Sequence, residues 1–100
     1  MKGKLITIPV VGAITEAEID EAPTLETLHG IVGGWLEKVP RFDTFLGAPC
    51  VALCNEEGRL QGLEINGQAT VLWSRATPLA DVLVGNVAII TGDAELLQSL

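Results

Sequence analysis

The feature that most constrains this sequence is that its apolar residues come in short bursts, each cut by proline or glycine. Leu5–Val11 contains Pro9 and runs into Gly12, Leu25–Val32 stops at Gly33, Trp35–Val39 stops at Pro40, and Val87–Thr91 stops at Gly92. No burst approaches the ~18 residues of a membrane span. The opening MKGKLITIPVVGAI has the charged-then-apolar order of a signal peptide, but Pro9 and Gly12 break it. Elements this short are stable only when packed side by side. With 48% apolar residues in 100, the expectation is one compact domain over residues 1–100, its core filled without disulfides or metals.

Periodicity assigns the bursts. Leu5–Val11 mixes β-branched residues with a proline and suits a strand near a sheet edge, with Lys2 and Lys4 at its solvent end. Leu25, Leu28, Ile31 and Val32 recur at helical spacing. Thr24 can cap the first turn, Glu26 complements its positive end, and Gly33 offers a left-handed stop. Gly30 inside this helix costs ~1 kcal/mol relative to alanine, so packing on a sheet must stabilise it. Trp35–Val39 is expected to be a second strand, with Trp35 and Val39 on one face and Leu36 and Lys38 on the other. A loop over 41–49 leads into a strand at Cys50–Leu53, and Asn55-Glu56-Glu57-Gly58 reads as a hairpin-like turn before the apolar pattern restarts at Leu60.

The segment GLEINGQATVLWSRATPL supports two readings. Ala69, Leu72, Trp73 and Ala76 fit a helix capped by Asn66, whereas ATVLW also suits a strand; the helix is the expectation, punctuated by Pro78. Val87–Thr91 is the clearest final strand, and Asp93 can cap a last helical turn. No repeat, low-complexity tract or linker is visible. The pattern predicts an α+β fold, a mostly antiparallel sheet with two short helices on one face.

The residues exclude most chemistry. Cys50 and Cys54 on one strand would lie ~13 Å apart along it, too far for a disulfide, and with His29 as the chain's single histidine they do not make a zinc set. They read as buried free thiols, which points to a reducing cytoplasm. His29, the one neutral-pH base of its type, falls on the helix beside Leu28 and reads as a structural histidine, and GIVGG lacks the lysine and hydroxyl of a phosphate loop and closes a helix rather than opening one. No cofactor, metal or catalytic role is therefore expected.

Charge is more informative. Thirteen acidic and six basic residues give a net charge of −7, which opposes binding to phosphate backbones and favours basic partners. From Leu5 through Glu37 there are six carboxylates and no lysine or arginine. If Ala13–Asp20 is extended, Glu16, Glu18 and Asp20 share one face at ~7 Å intervals, near the phosphate spacing of a single nucleic-acid strand. Such a row could engage lysines that normally receive nucleic acid, or it could simply keep an apolar protein in solution. Glu16, Glu18, Asp20 and Glu21 would form the contact, with Glu26 supporting from the helix.

Three segments, TLETLHGIVGGWLEKV, CNEEGRLQGLEING and DVLVGNVAIITGD, in that order resemble a family of small uncharacterised domains common in bacteriophages, prophages and plasmids. The shared pattern is a helix ending in Val-Gly-Gly before an aromatic-led strand, an Asn-Glu-Glu-Gly turn, a Gly-Leu-x-x-Asn run and a late Val-Gly strand. It covers residues 24–92, and Trp35 stands where tyrosine is more usual. That resemblance implies a phage or plasmid setting in a host cytoplasm and brings no assigned enzymatic activity with it. By size and acidity the chain is also similar to anti-CRISPR inhibitors of the type I-F surveillance complex, several of which occupy basic surfaces that receive DNA. The alternative expectation is a self-associating accessory module, a homodimer anchored by Trp35 or Trp73.

Overall fold

The computed structural model describes residues 2–76 and 81–100. In chain order the described elements are β1 (Gly3–Ile8), β2 (Thr15–Ile19), α1 (Leu25–Val32), β3 (Leu36–Lys38), β4 (Thr44–Phe45), β5 (Ala48–Asn55), α2 (Gly67–Ala76), β6 (Val87–Gly92) and α3 (Ala94–Gln98). The strands form a sheet in the order β2-β1-β6-β5-β3, with β4 paired to β5 beside this path, and every pairing is antiparallel. The chain is α+β, as its periodicity predicts.

The last strand holds the centre because of its composition. Val87, Ala88, Ile89 and Ile90 are all fully buried, and full burial of a valine or isoleucine side chain contributes roughly 1.5–3 kcal/mol. Only a position covered on both faces collects that term at consecutive residues. Neighbouring side chains alternate across a strand. Ile6, Ile8, Cys50, Ala52, Val87 and Ile89 accordingly join one core, with Ala69 and Trp73 of α2. Leu53, Ala88 and Ile90 join the other, with Leu28 and Val32 of α1 and Leu96 of α3. Among the described residues the helices number three rather than two and cover both faces of the sheet rather than one, because the central strand is apolar on both sides.

Local signals fix the helices. The Thr24 hydroxyl accepts from Thr27 N–H at 3.1 Å, and α1 stops at Gly33 in the left-handed conformation (φ 81°). The ambiguous segment is helical over Gly67–Ala76, and Asn66 caps it by accepting from Ala69 N–H at 3.0 Å. Asp93 caps α3 through Leu96 N–H. Pro78 lies outside the described residues.

Three strand expectations change. The first strand ends at Ile8 rather than Val11, since Pro9 has no N–H to continue a ladder. The 41–49 loop contains β4 and the start of β5, joined by a two-residue turn at Leu46 (φ 50°) and Gly47 (φ 85°); Leu46 adopts a left-handed conformation uncommon for its type. The Asn55–Gly58 turn does not open a hairpin. Both flanks of β5 are taken by β6 and β3, so the chain continues through turns to a single bridge, Ile65↔Val84, and then into α2, leaving Leu60 exposed.

Candidate interaction surface

The acidic stretch becomes a sheet edge. After Pro9 the chain reverses, and β2 returns along β1 in the register Gly3↔Ile19 through Thr7↔Thr15. The reversal is anchored to the body of the protein: Gln68 Nε2 donates to the carbonyls of Pro9 and Gly12, both at 3.0 Å, and Val10 N–H donates to Asn86 Oδ1 at 3.0 Å. On its other side β2 meets no strand among the described residues. Thr15, Glu16, Ala17 and Glu18 are exposed and Ile19 is half-buried.

Directly opposed residues of an antiparallel pair share a face. Glu16 stands opposite Ile6 and Glu18 opposite Lys4, so both carboxylates lie on the α2 side, as alternation requires. Asp20 and Glu21 follow in the bend after β2, and Glu26 lies in the first turn of α1. Glu18 and Asp20, with Lys2, Lys4, Ile19 and Thr91, line a shallow depression of about 470 Å³. The structure thus gathers Glu16, Glu18 and Asp20 and leaves Glu26 on a separate element, whose buried side meets the opposite face of the sheet.

The charge separation seen along the chain is only partial in space. Antiparallel pairing returns Lys4 to the acidic strand, where its Nζ lies 3.7 Å from Glu16 Oε1. Both side chains are about half exposed, so the pair contributes at most ~1 kcal/mol. Glu18, Asp20, Glu21 and Glu26 have no ion-pair partner among the described residues. Charge counted along the chain does not reveal Lys4, which reaches Glu16 only across the β1–β2 ladder.

The segments that carry the family resemblance meet one another, and the contacts are structural. Asn55 is buried. Its Nδ2 donates to Val32 O at 3.3 Å and Gln61 Oε1 at 3.1 Å, and its Oδ1 accepts from Glu57 N–H at 2.8 Å. Gly34 lies so close that a Cβ there would come within 2.8 Å of Asn55 Nδ2. Asn66 is fully buried and donates to Ile8 O at 2.8 Å and Gly85 O at 2.9 Å while capping α2. Arg59 Nη2 meets Asp81 Oδ2 at 2.7 Å and Val82 O at 3.0 Å, tying the turn to the segment leading into β6. Turn chemistry marked Asn55 and Asn66 in the sequence; their long-range donor bonds had no local signal.

Reactive groups are muted. Burial pushes the Cys50 thiol up to about 11, with Asp43 adding to it, and Cys50 Sγ donates to Phe42 O at 3.4 Å. Burial, then Glu37, pushes Cys54 up to about 11 as well, against an opposing pull from Arg59. A nucleophilic or metal-binding thiol needs the opposite shift. His29 packs edge-to-face on Trp35, ring centres 5.2 Å apart. No cluster of three metal-ligating side chains occurs among the described residues, and no helix there is long and apolar enough to cross a membrane.

Of the two expected dimer anchors, Trp73 is spent on the core, 7% exposed with its indole N–H donating to Pro40 O at 3.0 Å, whereas Trp35 is 65% exposed. An apolar groove of about 320 Å³ lies between α1 and the C-terminal end, lined mainly by Pro23, Leu25, Leu28, Leu36, Leu53 and Leu100.

Comparison with known proteins gives a family and no assigned activity. The sequence matches the family described as Domain of unknown function (DUF3846) over residues 1–100. No curated protein and no solved structure matches it. With the match spanning every residue of the sequence, the chain belongs to the DUF3846 family.

Proposed function

We propose that this chain is a protein-binding inhibitor that sets its acidic edge against a basic, nucleic-acid-receiving surface of a partner protein. The observation that carries the reading is the exposed β2 edge and following bend, where Glu18, Asp20 and Glu21 have no ion-pair partner among the described residues. A net charge of −7 speeds encounter with a basic partner, and the placing of the carboxylates along one edge orients it. The phage-type resemblance supplies the setting, the host cytoplasm, and the likeness in size and acidity to anti-CRISPR inhibitors supplies the narrower partner, the type I-F surveillance complex.

The deciding experiment incubates the protein with purified type I-F complex and measures target-DNA affinity. Unchanged affinity at saturating protein removes that partner. The variant Glu16→Gln/Glu18→Gln/Asp20→Asn/Glu21→Gln is expected to fold normally, exposed substitutions costing less than ~0.5 kcal/mol each, and to lose most of the inhibition. Glu56→Gln/Glu57→Gln is the control. Equal loss per charge removed in the two variants assigns the effect to net charge, and no loss in either leaves the acidic row a solubilising feature.

A second reading, self-association, is favoured by exposed Trp35 and by the apolar groove that Leu25, 68% exposed, borders. Light scattering at high micromolar concentration tests it, and a strict monomer removes it.

A further inference from the structure

We infer that the free edge of β2 receives an extended basic segment of a partner protein as an added antiparallel or parallel strand, with lysine or arginine at alternate positions. This rests on the acidic-surface reading above and specifies how the contact is made. Two independent features of the fold lead to it.

The first is the main chain. β2 pairs with β1 on one side only, so alternate N–H and C=O groups of Thr15–Ile19 point away from the sheet without a strand to meet them. The strand is held in place for such a role, since Gln68 and Asn86 pin the turn before it to the body of the protein. A strand added here gains main-chain bonds without the acidic edge having to rearrange.

The second is the side-chain code, which chooses the occupant. A second copy of the chain pairing antiparallel through β2 about Ala17 would set Glu16 opposite Glu18 twice. Like charges directly opposed destabilise a pair, so this edge disfavours its own kind. The inner neighbour shows what it accepts instead. On β1, Lys4 lies opposite Glu18 and reaches diagonally to Glu16 at 3.7 Å. A strand on the outer side with cations two residues apart would meet Glu16 and Glu18 in the same way at ~7 Å spacing, and the next cation would approach Asp20. Affinity comes from the backbone and selection from the charge pattern, a division of labour typical of strand addition.

The test uses the intact protein and a short, end-capped synthetic peptide of alternating lysine and valine. Two comparison peptides share its charge: one with its lysines contiguous, and one N-methylated at alternate amides, made in both registers. Binding is read by calorimetry, and amide hydrogen exchange is followed residue by residue. The expected result is protection of alternate β2 amides on the side away from β1, and a loss of affinity of at least about tenfold for the contiguous peptide and for one of the two methylated registers. Glu16→Gln/Glu18→Gln should weaken the peptide similarly, and Glu16→Lys/Glu18→Lys should abolish its binding while leaving the exchange of β6 amides unchanged.

Equal binding by all peptides overturns strand addition, because charge alone would then suffice. Protection of β2 amides that rises with protein concentration and needs no peptide also overturns it, since the occupant would be a second copy. If the peptide leaves β2 unprotected while the type I-F complex is still inhibited, strand addition falls and the acidic-surface reading stands. If the peptide adds to β2 and the complex is not inhibited, strand addition stands and the inhibitor reading falls.

Discussion

Asn66→Ala should be among the most damaging single substitutions in this protein although it removes little volume. The side chain is fully buried and makes three hydrogen bonds: donation to Ile8 O at 2.8 Å and Gly85 O at 2.9 Å, and acceptance from Ala69 N–H at 3.0 Å. Each such bond contributes about 1 kcal/mol net, and a buried group left unpaired costs about 1–3 kcal/mol. Alanine strands two carbonyls and one N–H together, so the expected loss is about 3–5 kcal/mol, out of a total stability of about 5–15 kcal/mol. At ~4–8 °C per kcal/mol for a chain of this size, the melting temperature should drop by at least ~12 °C. Urea unfolding with linear extrapolation measures this directly. Asn66→Asp separates the roles: it keeps the cap on Ala69 but replaces a donor by an acceptor facing two carbonyls, and should be no better than alanine at neutral pH. Asn86→Ala, which loses one exposed bond to Val10 N–H, should cost under ~1 kcal/mol. If Asn66→Ala unfolds within ~1 kcal/mol of the parent protein, Asn66 does not clamp β1, α2 and the segment entering β6, and the reasoning fails.

Other outcomes follow from the same structure. Gly3→Ala would drive its Cβ into Thr91 O and Leu96 Cδ2 and should cost ~1–3 kcal/mol or more as overpacking, whereas Gly30→Ala, in α1 with nothing near its Cβ, should stabilise by ~0.5–1 kcal/mol; thermal unfolding of the pair decides, and a destabilised Gly30→Ala refutes the second half. The N–H groups of Leu96 and Lys2 hold the Asp93 carboxyl below its ordinary value, and a depressed carboxyl adds stability that is present above the unfolded value near 3.9 and is lost as pH falls through the folded one. The urea midpoint of Asp93→Asn should therefore fall less between pH 7 and pH 3 than the parent's, and identical slopes would remove this contribution. With both thiols pushed up to about 11 by burial, an aromatic disulfide reagent at pH 8 should modify the folded protein far more slowly than the urea-unfolded chain; equal rates would place the thiols at the surface.

The acidic row was legible in the sequence as a row, because alternation in an extended segment sets Glu16 and Glu18 on one side whatever else the chain does. Its standing as a free sheet edge was not. That depends on which strands win the interior, and β6 wins by burying Val87 through Ile90 on both faces at once. Nor could a count along the chain see Lys4 arriving beside Glu16, since the ladder that brings them together forms only when β2 folds back on β1.

What the sequence determined by itself was everything encoded within one helical turn or one reversal. Thr24, Gly33, Asn66 and Asp93 mark their helix ends through bonds to backbone three or four residues away, and those bonds form wherever the helix is placed. The tertiary structure decided the rest. It chose the central strand, set helices on both faces, denied the Asn55–Gly58 turn a returning strand, and gave Asn66 its second task of bonding Ile8, 58 residues distant. These are outcomes of competition for burial and for ladder partners between segments far apart in the chain. A local pattern records the preferences of each segment, and only their joint packing shows which preferences can be satisfied together.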